Sequence, residues 1–526
     1  MQKGERLDLS IPEEFNLGAY FLDVNLIAGR GENPAIYYQD ETISYHGLWA
    51  LTNRMGNVLR RLGVEPENRV LLVLQDSPEW VAGWLATMKV GGVGTHAYTY
   101  LKPDDYAYLF ELIRPKVVLV DPTCLDLLRK ASEKSKYPEA FLVAGGHSGE
   151  LRAREYDLSE LLGAASQELE IEKTHRDDTA FWNFSGGTTG KPKGVPHMHR
   201  DGVVAFESTN HVLGYRPDDV VIRVPKLFFH YARDLGLLFP LRAGAAVVLF
   251  PERTTARVIF KLVEKFRPTF LINVPTMMRA MIQTAAAERS DLSCLRRVMS
   301  SGEMLSAQLY KEWVDTFQME VVNRFGSAES LTGYLCNRPG AVVAGSSGTV
   351  TPMSAVKIVD RQGREVARGE TGVLMARTGA AAIHYVRDHE KSLSTFTGNG
   401  WIDTGDLFRQ DENNYFWYLG RADDMVKISG VWVSPLEIER CLQTHPDVKE
   451  CAVMGLEDQD GLTKLKAFIV MEKNAPAADN PAGDLIDFCK KNLATYKYPR
   501  FTEFMDELPK TGQGKIDRRE LRTRSL

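Results

Sequence analysis

Apolar residues in the first part of the chain alternate between helical spacing and short unbroken runs. One helical face of residues 45–63 carries six apolar side chains: Leu48, Leu51, Met55, Val58, Leu59 and Leu62. The run "RVLLVLQDS" is typical of a buried strand, "PEWVAGWLATMKVGG" of a helix, and "KVVLVD" of a further strand. Because strands that alternate with helices form parallel sheets, this pattern predicts an α/β fold with stacked, mostly parallel sheets flanked by helices.

The alternation continues and then changes at about residue 345. Strands are predicted at "DVVIRVP", "AAVVLF", "PTFLINVP" and "LRRVMSSGE", with helices at "ARVIFKLVEKF" and "TMMRAMIQTAAAE". The later stretch "SGTVTPMSAVKIVDRQGREVARGETGVLMART" predicts a β-rich subdomain that closes the large unit. After "GRADDMVKISG" come a helix, two strands and a helix, which predict a small α+β domain. We therefore expect two domains, residues 1–422 and 423–526.

Composition supports two domains and excludes several classes of protein. A chain of 526 residues, 44% hydrophobic and 25% charged, is typical of globular protein with more than one core. The net charge of −5, with both signs interspersed, argues against nucleic acid as a partner. The six cysteines show no CxxC or metal-ligand spacing, so we expect reduced thiols in the cytoplasm. The start "MQKGERLDLSIPEEFNLG" lacks the apolar core of a signal peptide, and no apolar run predicts a membrane span.

The stretch "NFSGGTTGKPKGVPHMH", residues 183–199, lies between an apolar run and a predicted helix. It is not a Walker A phosphate loop, because Ser185 stands at the first glycine position and Pro192 follows Lys191. Its backbone N–H groups, hydroxyls and lysines can still surround phosphate oxygens. The alternative is an ordinary glycine-rich surface turn.

Five motifs in a fixed order carry a resemblance to a known family. They are "SGGTTGKPKG", "RFGSAES", "WIDTGDLF", "GRADDMVKISG" and "PKTGQGKIDRREL". In this order they resemble the signatures of the adenylate-forming enzymes, which include acyl-CoA synthetases, peptide-synthetase adenylation domains and firefly luciferase. The segment "PKLFFHYARDLGLLFPL" most resembles benzoate-CoA ligases and related aryl-CoA ligases. The resemblance covers the chain from about residue 183 to its end.

The resemblance implies a two-step ligase that uses ATP, Mg²⁺ and coenzyme A. A carboxylate first attacks the α-phosphorus of ATP and releases pyrophosphate, and the thiol of coenzyme A then displaces AMP. Because the first step brings two anions together, positive charge and aimed donors are the catalytic apparatus that such a reaction needs. We expect a monomer or homodimer that contacts neither nucleic acid nor membrane.

The motifs that match the family also indicate which residues bind ATP. Those expected to bind ATP are Ser185, Gly186, Gly187, Thr188, Thr189, Gly190, Lys191, Lys193, Ser301, Gly302, Glu303, Asn323, Arg324, Phe325, Gly326, Ser327, Asp406 and Arg421. Glu329 and Thr188 are expected to bind magnesium, and Lys515 to neutralise the α-phosphate and the acid during adenylation. The alternatives are a turn or capping role for Asp406 and a solvated surface charge for Lys515. One departure is Ala328, which replaces the family's threonine before the glutamate.

The acyl pocket is predicted from the same resemblance. Its expected residues are His230, Tyr231, Gly302, Gly326, Thr332 and Gly333, with Phe206 as a further candidate. Benzoate ligases usually have "FFAYGLG" where this chain has "FFHYARDLG", and often a histidine where it has Thr332. His230 alternatively fills space and bonds a backbone carbonyl. We expect a small aromatic acid, either unsubstituted or carrying a hydroxyl or amino group.

Three alternatives stay open at the level of sequence. The acid could be alicyclic or short and branched, the acyl group could pass to a carrier protein, or the chain could bind ligands without catalysis. Peptide-synthetase domains usually carry an aspartate where His230 stands, which disfavours amino acids. The resemblance also implies a small domain that rotates about Asp423 between the two half-reactions. Gly430 is then expected to line the thiol channel, with Lys427 nearby.

Overall fold

The structure is a computed structural model of the 526-residue chain. It describes residues 1–145, 149–186, 191–287, 291–428, 431–457, 463–472, 475, 479–494, 497–510 and 516–524. The chain divides into two compact units. The large unit comprises Met1–Lys357 and Met375–Asp403, and the small unit comprises Ile358–Leu374 and Thr404–Leu526. The predicted boundary between residues 422 and 423 marks the position about which the small domain is expected to rotate. This boundary stays a prediction.

Within the described residues, a seven-stranded sheet forms the first layer of the large unit. Its strands, in spatial order, are Pro192–Met198, Thr179–Gly186, Val93–His96, Arg69–Val73, Val117–Val120, Ala140–Val143 and Glu155–Asp157. All neighbours run parallel except the first pair, which is antiparallel. This confirms the parallel arrangement that the apolar runs predict.

A second sheet of nine strands, counted over the described residues, contains the later apolar runs. In spatial order its strands are Thr349–Val350, Gly333–Cys336, Val321–Gly326, Arg297–Ser300, Phe270–Asn273, Val220–Arg223, Ala246–Leu249, Pro34–Tyr38 and Glu41–Ser44. Its middle strands pair in parallel. Ligands of open α/β sheets bind beyond the carboxyl ends of such strands, so residues that follow them are the natural site candidates.

Helices cover the sheets of the large unit. They span Leu17–Leu22, Val24–Ile27, Tyr45–Arg61, Pro78–Lys89, Pro103–Ile113, Leu125–Ser132, Leu158–Ala164, His199–Leu213, His230–Arg233, Phe239–Ala243, Ala256–Phe266, Pro275–Ala287, Ala307–Phe317 and His389–Thr395. Hydroxyl caps begin several of them: the Ser44 and Ser77 side chains accept from Gly47 and Trp80 N–H groups. No helix among the described residues is long and apolar enough to span a membrane.

The predicted β-rich part forms after residue 345, and the limits of the two units fall inside three of its strands. These are Ser354–Val359, Thr371–Thr378 and Trp401–Gln410. In the large unit Gln2–Lys3 pairs antiparallel with Ser354–Val359, and Phe396–Thr397 pairs with the start of Trp401–Gln410.

The small unit forms its own apolar core, as the α+β pattern predicts. Its further strands are Phe416–Arg421, Val426–Ile428, Val431–Val433, Val448–Glu457, Thr463–Met471 and Phe501–Phe504. Its helices are Pro435–Gln443, Pro481–Asn492 and Arg518–Arg524.

The glycine-rich stretch is a β-hairpin, which differs from the sequence interpretation. Strand Thr179–Gly186 pairs antiparallel with Pro192–Met198, and helix His199–Leu213 begins only after that second strand. The missed strand contains two prolines and a glycine, residues that are rare in strands. It is tolerated because it lies at the edge of its sheet, where proline removes no ladder bond that a neighbour needs. Residues 187–190, between the two strands in the sequence, lie outside the described residues.

Candidate active site

The two strands of the hairpin hold the predicted phosphate-binding lysines in a fixed register. Lys193 lies opposite Ser185, and Pro192 lies opposite Gly186. The Nζ of Lys191 lies 4.6 Å from the centre of the Tyr108 ring, whose hydroxyl donates to the Pro192 carbonyl at 3.1 Å. Lys191, at the start of the second strand, is therefore supported by an aromatic face from a neighbouring helix.

Lys193 meets Tyr385, a residue outside the predicted set. The Nζ of Lys193 lies 5.2 Å from the Tyr385 ring centre and 3.6 Å from an Asp388 carboxylate oxygen. The Tyr385 hydroxyl donates to Glu329 Oε1 at 2.8 Å. Burial and the Glu329 charge raise the pKa of the Tyr385 phenol, so this hydroxyl stays a donor. One tyrosine thus connects the hairpin lysine to the predicted magnesium ligand.

Ala328 occupies an apolar contact beside that glutamate. Its side chain packs with Val195 of the hairpin, Ala382 and Tyr385. Its carbonyl lies 2.8 Å from Nε2 of His197, which is fully buried. The position of the family's threonine is therefore filled by packing and offers no side-chain donor.

A β-bulge brings together two predicted pocket glycines. Gly326 pairs with Gly333 where the register of strands Val321–Gly326 and Gly333–Cys336 shifts. A Cβ atom at Gly326 would lie 2.8 Å from the Gly333 Cα, so the two backbones need this absence of side chains. Beside the bulge, Arg324 Nη2 donates to Thr332 Oγ1 at 3.0 Å.

The segment with His230 and Tyr231 begins a short helix, His230–Arg233. The Tyr231 hydroxyl donates to the Asn273 carbonyl at 3.3 Å, and its ring edge would meet a Cβ at Gly302 at 3.2 Å. Gly302 has a φ of +83°, which a residue with a side chain rarely adopts. Tyr231 and Gly302 are therefore in contact, as a shared pocket requires.

Arg233 fixes this helix to the hairpin, and sequence reasoning did not find it. Its guanidinium is fully buried, donates to Asn183 Oδ1 at 2.9 Å and pairs with Asp234 at 2.8 Å. It also stacks over the rings of Trp84 and Phe181 at 4.5 and 4.7 Å. The acyl-pocket helix and the hairpin strand are thus joined through the hydrogen bond from Arg233 to Asn183.

Asp76 anchors the same segment from the other sheet. It follows strand Arg69–Val73, and its Oδ1 accepts from the Leu227 N–H at 2.9 Å. Its Oδ2 accepts from Arg223 at 2.7 Å, and both side chains are buried. The Asp76 carboxylate therefore joins the loop after strand Arg69–Val73, in the seven-stranded sheet, to the stretch from Arg223 to Leu227 that precedes His230.

The predicted ribose-binding pair forms within the small unit. Arg421 Nη1 donates to Asp406 Oδ1 at 3.1 Å and to the Thr404 carbonyl at 2.6 Å. Their backbones pair directly in the antiparallel ladder, and Asp406 is largely buried. Burial lowers the pKa of the Arg421 guanidinium, but the combined effect of Asp406, Tyr418 and Asp423 outweighs it and the pKa is raised. The guanidinium therefore holds the Asp406 carboxylate in a fixed position.

Other predicted residues lie in less suggestive places. Phe206 is in the hydrophobic core, 5.8 Å from Phe239 between ring centres. The Asn323 amide donates to the Ser346 carbonyl at 3.3 Å, and Phe325 meets Tyr334 edge-to-face.

The remaining predicted residues follow. Ser301 donates to the Arg324 carbonyl, Glu303 accepts from the Thr276 backbone, and the Ser327 N–H donates to Ser330. Asp423 is exposed in the turn Ala422–Asp424, and Lys427 pairs through its backbone with Trp432. Gly187, Thr188, Thr189, Gly190, Gly430 and Lys515 lie outside the described residues. The roles of all these residues stay predictions.

Comparison with known families decides the class. Residues 25–386 match the model of the AMP-binding enzyme family, and residues 437–515 match the AMP-binding enzyme C-terminal domain. The chain belongs to the AMP-binding enzyme family. This AMP-binding enzyme is 37% identical to a benzoate–CoA ligase of Thauera aromatica over 519 residues, which cover 98% of this chain and 97% of that relative.

Two solved structures resemble this AMP-binding enzyme over nearly its whole length. An anthranilate CoA ligase in complex with anthranoyl-AMP is similar with a TM-score of 0.92 and 34% identity, covering 98% of both chains. A benzoate CoA ligase from Burkholderia xenovorans LB400 is similar with a TM-score of 0.87 and 34% identity. That match covers 97% of this chain and 100% of the other. The predicted α/β fold with a small C-terminal domain is thereby confirmed.

The residues that sequence reasoning missed in this AMP-binding enzyme have partners far away in the chain. Tyr385 contacts a glutamate 56 positions earlier, and Asp76 contacts an N–H group 151 positions later. The "HYARD" segment carried one usable signal, because an arginine and an aspartate inside an otherwise apolar run predict a buried ion pair.

Proposed function

We propose that this AMP-binding enzyme joins a small aromatic carboxylic acid to coenzyme A at the expense of ATP. The observation that carries the proposal is the chain of contacts from Lys193 through Tyr385 to Glu329. It aligns a cation from the glycine-rich hairpin with a carboxylate suited to a hard metal ion, as ATP chemistry demands. The resemblance to benzoate and anthranilate ligases over the whole chain supports an aromatic acid.

Glu329 fits a magnesium ion that arrives with ATP. Tyr385 engages Oε1, and Oε2 has no hydrogen-bond partner among the described residues. Over that same part of the chain, no cluster of three His, Cys, Asp or Glu side chains could hold a metal. Magnesium suits such a site, because one or two carboxylates and the substrate's phosphates commonly bind it. When bound, it neutralises charge on the phosphates.

Adenylation then needs this chain's residues to orient three groups. The hairpin, with Lys191 and Lys193, holds the β- and γ-phosphates. Asp406 accepts hydrogen bonds from the ribose hydroxyls, and Arg421 holds this carboxylate in place. Lys515 approaches the α-phosphate and the acid, so that the carboxylate oxygen attacks phosphorus and pyrophosphate leaves. In the second step the thiol sulfur of coenzyme A attacks the acyl carbon, and AMP leaves.

The acid is placed by the segment that begins at His230. We propose that the ring of the acid is surrounded by Tyr231, Gly302, Gly326, Thr332 and Gly333. His230 then lies at the carboxylate end of the acid. We place the reaction in the cytoplasm, because all six cysteines are unpaired thiols and five of them are buried. Coenzyme A, rather than a carrier protein, is the proposed acceptor.

A product assay tests the proposal. The purified chain is incubated with ATP, Mg²⁺, coenzyme A and a panel of aromatic, alicyclic and branched acids, and the products are identified by mass spectrometry. We expect AMP, pyrophosphate and an aroyl-CoA. Formation of ADP and phosphate, or the absence of acid-dependent pyrophosphate exchange with every acid, would overturn the assignment.

A further inference from the structure

His197 is a buried histidine that donates to the backbone beside the proposed magnesium ligand. It is fully buried, and its Nε2 lies 2.8 Å from the Ala328 carbonyl oxygen. Because a carbonyl oxygen can only accept, Nε2 carries the hydrogen of this bond. A buried imidazole without such a partner would cost free energy, so the contact fixes the ring against the peptide that joins Ala328 to Glu329.

One face of strand Pro192–Met198 carries this contact and two others. Alternate residues of a strand share a face, so the histidine lies on the same side as the two residues that precede it by two and four positions. The Val195 side chain packs with Ala328, and the Nζ of Lys193 lies 5.2 Å from the Tyr385 ring centre. The histidine is thus the last of three contacts along the strand between the glycine-rich hairpin and the segment with the proposed magnesium ligand.

Three hydrogen bonds within the described residues hold Glu329. His197 donates to the carbonyl before it, the Ala382 N–H donates to its own carbonyl at 2.8 Å, and the Tyr385 hydroxyl donates to its carboxylate at 2.8 Å. Because the peptide bond is planar, fixing the Ala328 carbonyl also fixes the N–H and Cα of the glutamate. The bond from His197 is made by a side chain to the backbone, so it can be removed without altering either the carboxylate or its hydroxyl partner.

A buried carboxylate lies on the other side of the imidazole ring. Oδ2 of Asp201 lies at an ion-pair distance of 3.5 Å from Nδ1 of His197 and accepts from the Met198 N–H at 2.9 Å. Asp201 is buried in the first turn of helix His199–Leu213, where the end of the helix stabilises negative charge. A fixed carboxylate beside one ring nitrogen orients the opposite nitrogen, which here is the one that meets the carbonyl.

We propose that His197 is a positioning residue for magnesium binding, because it holds the backbone at Ala328 so that the Glu329 carboxylate faces the metal ion. This inference rests on the proposed ligase function and adds a residue to its adenylation step. Without the histidine's hydrogen bond the segment still packs through Ala328, but the glutamate is held at one point fewer. Loss of such an outer partner changes metal affinity or activity by about 10- to 100-fold.

The first test exchanges the histidine for residues that lack or keep the donor. His197→Leu removes the donor at similar volume, whereas His197→Gln places an amide N–H near the position of Nε2. Mn²⁺ binding in the presence of ATP and the absence of acid, followed by paramagnetic resonance, gives the metal Kd. We expect this Kd to rise about tenfold or more in His197→Leu and to stay within about threefold of the unaltered enzyme in His197→Gln.

The half-reactions give a second readout, with the acid that reacts best in the product assay. Acid-dependent pyrophosphate exchange in His197→Leu should need about tenfold more Mg²⁺, while KM for the acid changes by less than about threefold. Thioester formation from the supplied acyl-AMP should keep its rate, because adenylation is bypassed. A general loss of structure would lower both half-reactions and raise both constants.

His199→Leu is the matched control. His199 lies two residues further along the chain, is also fully buried, and accepts from the Leu17 N–H instead of bonding the segment with Glu329. Its replacement should lower stability, because the Leu17 N–H loses its acceptor, but it should leave the metal Kd within about twofold.

The outcomes separate this inference from the ligase proposal. If no acid supports pyrophosphate exchange, the ligase proposal fails, while the metal Kd still tests His197. If exchange occurs but the metal Kd is unchanged in His197→Leu, or if His197→Gln does no better than His197→Leu, the histidine is only structural and the inference fails. Should His197→Leu not fold, as circular dichroism reveals, His197→Asn decides, because its shorter amide does not reach the carbonyl. An unchanged Kd in that variant overturns the inference.

Discussion

Tyr385 donates its phenolic hydrogen to Glu329 at 2.8 Å while its ring supports Lys193. Tyr385→Phe keeps the ring and removes only the donor, so Glu329 loses its one described side-chain partner. We expect adenylation to fall about tenfold and to require more Mg²⁺, because the carboxylate is no longer held in one orientation. The Mg²⁺ dependence of pyrophosphate exchange, and Mn²⁺ binding followed by paramagnetic resonance, measure this. Tyr156→Phe, at an exposed tyrosine, is the control, and an unchanged Mg²⁺ dependence in Tyr385→Phe contradicts the assignment.

The two half-reactions are expected to separate by residue. Lys515→Ala should slow adenylation roughly a hundredfold and spare thioester formation from supplied acyl-AMP. Gly430→Leu and Asp423→Pro should do the reverse, since one obstructs the thiol channel and the other fixes φ at the hinge. Lys510→Ala, whose lysine pairs with Glu450, is the control for Lys515. Equal losses in both steps for all three variants would refute rotation about Asp423.

His230→Ala is expected to reorder ring-substituted acids rather than to weaken all of them. His230 is the first residue of the short helix that also contains Tyr231, both predicted to line the acyl pocket. Removing its side chain therefore changes the volume of that pocket more than it changes the chemistry at the phosphates. Relative kcat/KM over the benzoate panel measures the effect. A uniform loss would leave His230 with a structural role only.

His199 makes stability depend on pH. Its Nδ1 accepts from the Leu17 N–H at 2.9 Å, and burial lowers the pKa of its imidazole to about 4. The unfolded chain therefore binds more protons below about pH 6.5, and the contribution present above that pH is lost as the pH falls to 4. We expect the free energy of unfolding to drop by up to about 3 kcal/mol over this interval. Urea titrations at pH 7, 5.5 and 4.5 measure it, and in His199→Asn, which keeps an acceptor, the drop should shrink.

Asp76→Ala should destabilise the large unit by about 3 to 5 kcal/mol, because Arg223 is left buried without its partner. Asp40→Ala, which removes an exposed partner of Lys265, should change little. Denaturant midpoints compare the two. Similar midpoints for both variants would show that Asp76 does not anchor the acyl segment.

Helices and parallel strands could be predicted because their apolar period is local. Residues 45–61 form a helix with Leu48 and Met55 fully buried, as the spacing requires. Strand Pro192–Met198 could not be predicted, because an edge strand depends on its neighbour rather than on its own residues. In the candidate site, motif residues such as Glu329 were predicted from the resemblance. Tyr385 was not predicted, because its contact with Glu329 arises from the folding of distant parts of the chain and has no signal in the local sequence.

The close packing of Arg324 against Gly333 makes the residue accepted at one position depend on the residue at the other. A Cβ atom at Gly333 would lie 2.4 Å from Arg324 Nε and 2.5 Å from its Cγ, so any side chain at position 333 forces the arginine to move. A larger residue at position 333 is therefore accepted best together with a smaller residue at position 324.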